Sequence, residues 1–256
     1  MKKITLLCGL FLAVTASVAA AGQGVGLRWN SCIGDAGASN KTSACVSNTG
    51  NNILVGTFEV NADLLQTSGT ELVVDLASAD PVLPAWWQFK NAGTCRATSL
   101  SMNAVISGLA VNCADWAAGA AAGGIGAYIT SPDARARATN TARLVAALAV
   151  PVSGLADLTP ATEYFSFNLI INNAKSSGVG LCAGCSNAVC IVFNSVLLTT
   201  PVAANNVLVQ GPSNGTDSHF CTWQGGAGVS VGAAIGCPAA TPTKNATWGQ
   251  VKTLYR

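Results

Sequence analysis

Residues 164–171 read YFSFNLII, and this stretch of the 256-residue chain gives the clearest indication of its fold. Apolar side chains recur at every second position, at Phe165, Phe167, Leu169 and Ile171, with Ser166 and Asn168 between them. Successive side chains of a β-strand point to opposite faces of a sheet. The alternation therefore predicts a strand with one buried face.

The same period of two continues on both sides of this strand. It is found in segments 53–60, 71–76, 99–106 and 144–150, while 189–198 is an apolar run typical of a strand buried on both faces. Turn-forming residues rich in Gly, Pro and Asn separate these segments. Short strands joined by turns predict a mainly β chain, specifically an antiparallel β-sandwich of Ig-like or jelly-roll-like type with disulfide-bridged loops.

One segment does not fit this pattern. Residues 117–127 are rich in Ala and Gly and have no amphipathic face. They predict either a long loop or a short helix.

Residues 1–21 have the three parts of a bacterial signal peptide. Lys2 and Lys3 form a charged start, an apolar run extends to about Val14, and small residues close the segment. We therefore expect an exported protein that is secreted or held at the cell surface, with the periplasm as an alternative. Residues 22–237 are predicted to form a single β-sandwich domain, in which no apolar run is long enough for a transmembrane segment.

Residues 238–256 are predicted to be a Pro-containing linker followed by a short C-terminal helix. Thr247 and Gln250 have the spacing of a capping box, and Trp248 and Val251 fall on one helix face. A docked helix is one interpretation of this tail, and a sorting or anchoring signal is the other.

The charge balance limits the classes of partner. The chain has 13 basic and 11 acidic residues, so removal of Lys2 and Lys3 leaves 11 of each and no net charge. Nucleic-acid binding is not expected, because a backbone binder needs an excess of Lys and Arg. Charged residues make up only 9% of the chain against a typical value of about 25%. Such a neutral surface suits packing against copies of the chain or against other surface proteins, and no cofactor is predicted.

Nine cysteines follow the leader, and export favours disulfide bonds because no reducing pool keeps thiols free there. They are Cys32, Cys45, Cys95, Cys113, Cys182, Cys185, Cys190, Cys221 and Cys237. Pairing between near neighbours predicts the bonds Cys32–Cys45, Cys95–Cys113 and Cys221–Cys237, and one bond among Cys182, Cys185 and Cys190. The ninth cysteine is then free or bonded to another chain.

The group Cys182, Cys185 and Cys190 also allows two other interpretations. It resembles in spacing a redox Cys-x-x-Cys site or, with His219 or Cys221 as a fourth ligand, a zinc site. The glycines around it indicate a loop between two strands, so structural disulfides are favoured and no metal is predicted.

Trp86 and Trp87 form the most distinctive local motif. On a strand their rings point to opposite faces, so that Trp87 joins Phe89 in the core while Trp86 lies outside beside Gln88. An exposed ring next to an amide suits a sugar, which makes Trp86 and Gln88 candidate binding residues for glycans. The alternative interpretation, which the residues favour, is that both rings are covered, one by the core and the other by the neighbouring cysteine loop.

Catalytic chemistry finds less support. Five carboxylates on or near predicted strands are candidates for a glycosidase pair, although most fit solvated strand faces: Glu59, Asp63, Glu71, Asp75 and Glu163. Ser213 lies in a Gly-x-Ser-x-Gly pattern with His219 nearby, but a turn fits better because no helix pattern follows. We predict no catalytic residue and a non-enzymatic protein.

The segment Leu83-Pro84-Ala85-Trp86-Trp87, the Cys182-x-x-Cys185 loop and the tail Trp-Gly-x-Val-Lys-x-Leu-Tyr-Arg at 248–256 together resemble a group of uncharacterised exported bacterial proteins. The resemblance implies export and a β-rich fold, and no activity. We therefore expect a structural or surface-interaction protein. A carbohydrate-binding module is the alternative, and a secreted hydrolase with paired carboxylates is the third hypothesis.

Overall fold

The computed structural model describes residues 23–106, 112–213, 218–226, 228–231 and 235–237, and this part of the chain is mainly β. The strands are β1 (Gly24–Trp29), β2 (Asn40–Lys41), β3 (Asn51–Glu59), β4 (Leu64–Thr67), β5 (Gly69–Ser78), β6 (Leu100–Asn103), β7 (Ala114–Asp115), β8 (Ala122–Thr130), β9 (Thr141–Ala149), β10 (Ala156–Leu158), β11 (Tyr164–Asn172), β12 (Val189–Thr199), β13 (Val207–Gln210), β14 (Phe220–Trp223), β15 (Ser230–Val231) and β16 (Ile235–Gly236). Three short 3-10 helices are Ala85–Trp87, Val152–Gly154 and Ala203–Asn205. The predicted leader, linker and C-terminal helix lie outside the described residues. No helix in the described part of the chain has the length and apolar character that a membrane crossing requires.

A five-stranded sheet contains the segment 164–171. Its order is β1-β3-β11-β6, and β7 pairs with β11 in parallel. β11 confirms the strand predicted there. A register shift between Phe165 and Phe167 interrupts the alternation, so these two rings do not share a face. Phe165 packs in a separate small cluster with Val55, whereas Phe167 lies in the main core.

A seven-stranded sheet has the order β2-β14-β12-β5-β9-β8, with β13 beside β12. Its long strands β5 and β12 confirm the segments predicted at 71–76 and 189–198. The prediction for 117–127 is wrong, because the second half of this segment enters strand β8. Close approach to β9 selects small residues here: a Cβ at Gly123 would lie 2.1 Å from the carbonyl O of Ala147. Small residues have no apolar alternation, which hides the strand.

Side chains from both sheets share one apolar core. Phe167 of β11 and Phe193 of β12 meet edge to face, with ring centroids 5.1 Å apart. Burial of apolar surface between layers is the main force that holds such a fold together. The structure confirms a mainly β chain with antiparallel and mixed pairing, and the sandwich type stays a prediction.

Four disulfides connect cysteines that are far apart in the sequence. They are Cys32–Cys113, Cys45–Cys185, Cys95–Cys182 and Cys190–Cys237, with separations of 81, 140, 87 and 47 residues. The predicted bonds between neighbours are therefore wrong. Strand pairing brings loops from distant parts of the chain together, so spatial neighbours are not sequence neighbours. Four disulfides are consistent with an extracellular or periplasmic protein.

Cys221 is the free cysteine among the described residues. It is fully buried on β14, where its Sγ donates to the carbonyl O of Leu27 at 3.1 Å. Of the two fates expected for the ninth cysteine, the fold thus favours a free thiol, since a buried sulfur cannot reach another chain.

Candidate functional site

Pro84 shapes the backbone that carries the two tryptophans. It precedes the 3-10 helix Ala85–Trp87 in an extended conformation, with φ −61° and ψ 154°. The backbone N–H of Trp86 donates to the carbonyl O of Ala183 at 2.8 Å. The assumption of a strand at this motif is therefore wrong. In the tight turn the two rings meet edge to face, with centroids 4.8 Å apart.

Both tryptophan rings are fully buried, as in the favoured interpretation of the motif, so the exposed Trp86 ring proposed for sugar binding is absent. Trp86 stacks on Trp223 with centroids 5.3 Å apart, and its Nε1–H donates to Ser176 Oγ at 2.9 Å. The cysteine loop around Ala183 contributes to the cover, as in the alternative interpretation of the motif. The name aromatic cluster is used below for Trp86, Trp87, Phe89, Arg96 and Trp223.

Arg96 is the buried cation of the aromatic cluster, with 1% of its surface exposed. Its guanidinium carbon lies 3.6 Å from the centroid of the Trp86 ring. Nη1–H donates to the carbonyl O of Trp86 at 3.0 Å, and Nη2–H donates to the carbonyl O of Asn172. Burial lowers the pKa of Arg96, because a site shielded from water disfavours the charged form. The Arg96 side chain thus links the turn after Pro84 to the end of β11 by hydrogen bonds.

An open cleft of about 370 Å³ lies beside the aromatic cluster. This polar cleft is lined by Gln88, Asn91, Ala92, Thr94, Tyr128, Thr130, Ser131, Pro132 and Asp133. Its volume falls within the range of about 300–1,000 Å³ that is typical of small-molecule sites. Of the two predicted binding residues, Gln88 lines a surface cleft and Trp86 does not.

Hydrogen bonds hold the amides of the polar cleft in place. Gln88 Nε2–H donates to the carbonyl O of Leu83 at 2.8 Å, and Asn91 Nδ2–H donates to Thr130 Oγ1 at 2.8 Å. Among the described residues, neither amide oxygen accepts a hydrogen bond. The lining therefore includes two amide groups that are held in place and whose oxygens retain their capacity to accept hydrogen bonds.

The polar cleft is close to neutral. Tyr128 OH donates to the carbonyl O of Trp87 at 2.6 Å, and burial raises the pKa of Tyr128, which keeps its hydroxyl protonated. Asp133 is the charged member of the lining, and Arg135 pairs with it at 2.7 Å. The side-chain hydrogen bonds from Arg135 lower the pKa of Asp133 to about 2.

A second feature is named here the braced end and consists of the loops 43–50 and 174–187. The disulfide Cys45–Cys185 joins them. Asn48 and Ser177 add two reciprocal hydrogen bonds of 3.1 and 3.0 Å. These links fix loops that lie 129 residues apart in the chain.

Three apolar side chains project from the braced end into solvent. Val46 is 77% exposed, Leu181 is 53% exposed, and Val179 is fully exposed. The opposite end of the sheets also carries exposed apolar residues, Leu65, Val152 and Val202. Single exposed aliphatic side chains are common on protein surfaces, so the distinguishing property of the braced end is the covalent bracing of its loops.

Asp75 was expected on a solvated strand face, and this expectation is wrong. The residue is 2% exposed and accepts two hydrogen bonds from Arg143, at 2.7 Å from Nε and 2.6 Å from Nη2. Arg137 Nε lies 3.6 Å away, and Asn194 Nδ2–H donates to the same carboxylate. Two basic groups and an amide thus cover this carboxylate on the outer side of the seven-stranded sheet.

The other carboxylate candidates lie in varied surroundings. Glu163 accepts hydrogen bonds of 2.9 Å from the backbone N–H groups of Ile33 and Gly34, which anchors a loop. Glu59 is buried, whereas Asp63 and Glu71 are exposed. The hydrogen bonds of Asp75 and Glu163 give both carboxylates a structural role, in a strand-to-strand ion pair and in loop anchoring respectively.

The redox and zinc interpretations of Cys182, Cys185 and Cys190 both require free thiols, which these residues do not have. Cys182, Cys185 and Cys190 each form a disulfide with a distant cysteine, so none of the three offers a thiol or thiolate for redox chemistry or for metal binding. Ligand atoms of Cys32, Asp35 and Cys113 come within 4.8 Å of one another, but the two sulfurs are bonded together.

Ser213 does not have the setting of an exposed nucleophile. It is buried, and its hydroxyl lies 3.2 Å from that of Ser218. Gly211, with φ +75°, precedes it, and Gly215, the second glycine of the pattern, lies outside the described residues.

Sequence reasoning missed Arg96, Asn91 and Tyr128. Arg96 follows a cysteine in a turn-rich stretch, where a cation normally indicates a solvated loop. Tyr128 reaches the carbonyl of Trp87 across 41 positions, a contact that no local pattern contains. The only available signal was the concentration of aromatic residues at 86–89.

No protein-family model matches the chain, and comparisons with curated proteins and with solved structures give no match either. The fold and its surface features therefore define the class: a mainly β chain whose loops are held by four disulfides.

Proposed function

We propose that this chain is an exported, non-enzymatic structural protein that associates with copies of itself through the braced end. The observation that carries the proposal is the exposure of Val46, Val179 and Leu181 on loops held by disulfides. Four disulfides support export through the predicted signal peptide. A core shared by two sheets supports a sandwich of Ig-like or jelly-roll-like type.

Exposed aliphatic groups gain free energy when a second surface covers them. The gain is about 25 cal/mol for each Å² of apolar surface removed from water. Because Cys45–Cys185 and the Asn48–Ser177 hydrogen bonds already fix the loops, association costs little additional conformational entropy. Because the loops are fixed before association, more of the free energy gained by burying the apolar side chains contributes to affinity.

The charge balance favours a second copy as the partner. Without the predicted leader, acidic and basic residues are equal in number, so copies do not repel one another through a net charge. Burial of Cys221 makes the proposed association non-covalent. A reducing agent is therefore not needed to separate the copies.

Sedimentation velocity over a concentration series of the mature protein tests this proposal. We expect dimers or larger species that increase with concentration. The combined substitutions Val46→Ser, Val179→Ser and Leu181→Ser should shift the protein to monomer while its circular dichroism spectrum is retained.

The matched control carries Leu65→Ser, Val152→Ser and Val202→Ser at the opposite end and should associate like the wild type. A wild-type protein that stays monomeric throughout the series contradicts self-association. Loss of association in the control alone would assign the interface to the opposite end and reject the braced end.

Carbohydrate binding is the second candidate function. It is favoured by the position of Gln88 in an open cleft lined by amides and hydroxyls. Stacking on Trp86 is not part of this proposal, since that ring is buried. The resemblance to exported bacterial proteins stays a prediction, since much of its motif lies at 248–256, outside the described residues.

A further inference from the structure

We infer that the polar cleft binds a neutral saccharide through the amide oxygens of Gln88 and Asn91. The inference rests on the second proposed function, carbohydrate binding, and assigns it to a site and a ligand class. It does not depend on the self-association proposed for the braced end, which involves other residues.

The hydrogen-bonding groups of the cleft match those of a sugar. Each sugar hydroxyl both donates and accepts, and the amide oxygens of Gln88 and Asn91 are fixed acceptors for its proton. Thr94 Oγ1 donates to the backbone carbonyl of Asn91 at 2.7 Å, which leaves its lone pairs free to accept a hydrogen bond. The exposed Ser131 adds a hydroxyl that donates or accepts.

The charges of the cleft favour a neutral ligand. Tyr128 keeps its proton because burial raises its pKa. Asp133, the charged member of the lining, is paired with Arg135 at 2.7 Å, so the cleft carries little net charge. Within the described part of the chain, the lining contains no cation to bind an anionic ligand such as a uronate or a sulfated sugar, whereas a neutral sugar needs none.

Apolar contacts are also present for the C–H groups of a sugar ring. Ala92 and Pro132 are exposed members of the lining, and the ring of Tyr128 forms part of its inner wall. The hydrogen bond from Tyr128 to Trp87 O anchors this wall to the aromatic cluster. The cleft therefore combines a rigid base with a neutral polar lining, as in many small-molecule sites.

Isothermal titration calorimetry with neutral hexasaccharides of glucose, xylose, mannose and N-acetylglucosamine tests the inference, with a galacturonate hexasaccharide as the anionic comparison. We expect at least one neutral ligand to bind, and the anionic ligand to bind more weakly. Gln88→Ala should weaken binding about tenfold, the equivalent of one good hydrogen bond. Its matched control is Gln210→Ala, the same change at an exposed position on β13, and should stay within about twofold of wild type.

A second variant fills the cleft without removing a hydrogen bond. Ala92→Phe should abolish binding, whereas Ala204→Phe, at an exposed alanine in the 3-10 helix Ala203–Asn205, should leave it unchanged. Binding that survives both Gln88→Ala and Ala92→Phe overturns this site but leaves carbohydrate binding intact. The absence of binding to every sugar in the panel overturns both the site and the second function. Stronger binding of the anionic ligand overturns the assignment to neutral saccharides.

Discussion

Arg96 and Arg143 are both covered by the fold, yet their surroundings differ. Arg143 on β9 has 27% of its side chain exposed and faces the carboxylate of Asp75 on the neighbouring strand. Arg96 is almost fully buried against the Trp86 ring and donates to two backbone carbonyls. Within the described residues, Arg96 forms no ion pair.

The two pKa shifts have opposite directions for this reason. The hydrogen bonds from Arg143 to Asp75 raise the pKa of Arg143, whereas burial lowers the pKa of Arg96. A carboxylate replaces much of the hydration that a cation loses, and carbonyl dipoles with an aromatic face replace it only in part. Arg143 on the sheet surface is thus held by an ion pair with Asp75. Arg96 in the aromatic cluster is held by hydrogen bonds to two backbone carbonyls and by contact with the Trp86 ring.

We expect the largest loss of stability from the substitution Arg96→Met. The substitution keeps much of the side-chain volume but leaves the carbonyl groups of Trp86 and Asn172 without their donor. Each unsatisfied buried acceptor costs about 1–3 kcal/mol, so we expect a loss of about 3 kcal/mol in the free energy of unfolding. Equilibrium unfolding in guanidinium chloride, with disulfides intact, measures it.

Arg135→Met is the matched control, because Arg135 is exposed and should change stability by less than about 0.5 kcal/mol. If Arg96→Met lowers the free energy of unfolding no more than this control does, the hydrogen bonds from Arg96 to the two carbonyls do not stabilise the turn.

Asp75→Asn should lower the free energy of unfolding by less, about 2 kcal/mol. The neutral amide removes the countercharge of Arg143, but that guanidinium is partly exposed and gains hydration. The loss should shrink in about 1 M NaCl, where the Debye length is about 3 Å, while the loss from Arg96→Met should not. Unfolding curves in urea, which is uncharged, at two NaCl concentrations measure both.

Glu71→Gln, an exposed acid on the same strand, is the control for Asp75→Asn and should be nearly neutral. Equal salt sensitivity of the Arg96 and Asp75 variants would show that both cations are held by charge.

Cys221 extends the comparison to a buried thiol, on which burial outweighs the opposing effect of the nearby Arg28. Burial raises the pKa of its thiol to about 12 from an ordinary 9.0. Near pH 8 the thiolate fraction is then about a thousandfold lower than for an exposed thiol, and only the thiolate reacts. We expect a disulfide-exchange reagent to label no thiol in the folded mature protein and one in guanidinium chloride. Rapid labelling of the folded protein is the outcome that contradicts this.

The smallest effect concerns the exposed ion pair of Asp133 and Arg135. The hydrogen bonds from Arg135 lower the pKa of Asp133 to about 2 from an ordinary 3.8. Because the folded pKa is depressed, any stabilisation is present above about pH 3.8 and is lost as the pH falls through about 2. Carboxyl NMR titration should show the low pKa in wild type and a higher value in Arg135→Gln, which stays below 3.8 because the backbone N–H of residue 135 still donates to Asp133. Equal pKa values in the two proteins would contradict the pairing.

The strands were the most predictable part of the fold. Alternation at 164–171 and 71–76 is a local consequence of burying one face, and strands formed at both segments. The edge strand β8 was not predictable in this way, because Gly123 and its small neighbours are selected by close approach to β9. The face of Phe165 was also not predictable, since a bulge depends on the partner strand.

The candidate site was predictable only in part. Gln88 was identified from its place beside the tryptophans, and it does line a cleft. Trp86 was assigned to the surface because a strand was assumed, and the turn after Pro84 directs its ring inward instead. Asn91 and Tyr128 join the cleft from separate parts of the chain, which no motif indicates.

By itself, the sequence determined the mainly β character and the presence of many cysteines suited to disulfides, because alternation and composition are properties of neighbouring residues. Only the tertiary structure decided that Cys45 bonds to Cys185 across 140 residues, that Cys221 is buried, and that Arg96 lies on a tryptophan ring. These contacts depend on which loops the paired strands bring to one end of the sheets. That arrangement is set by the packing of the whole core rather than by any local segment.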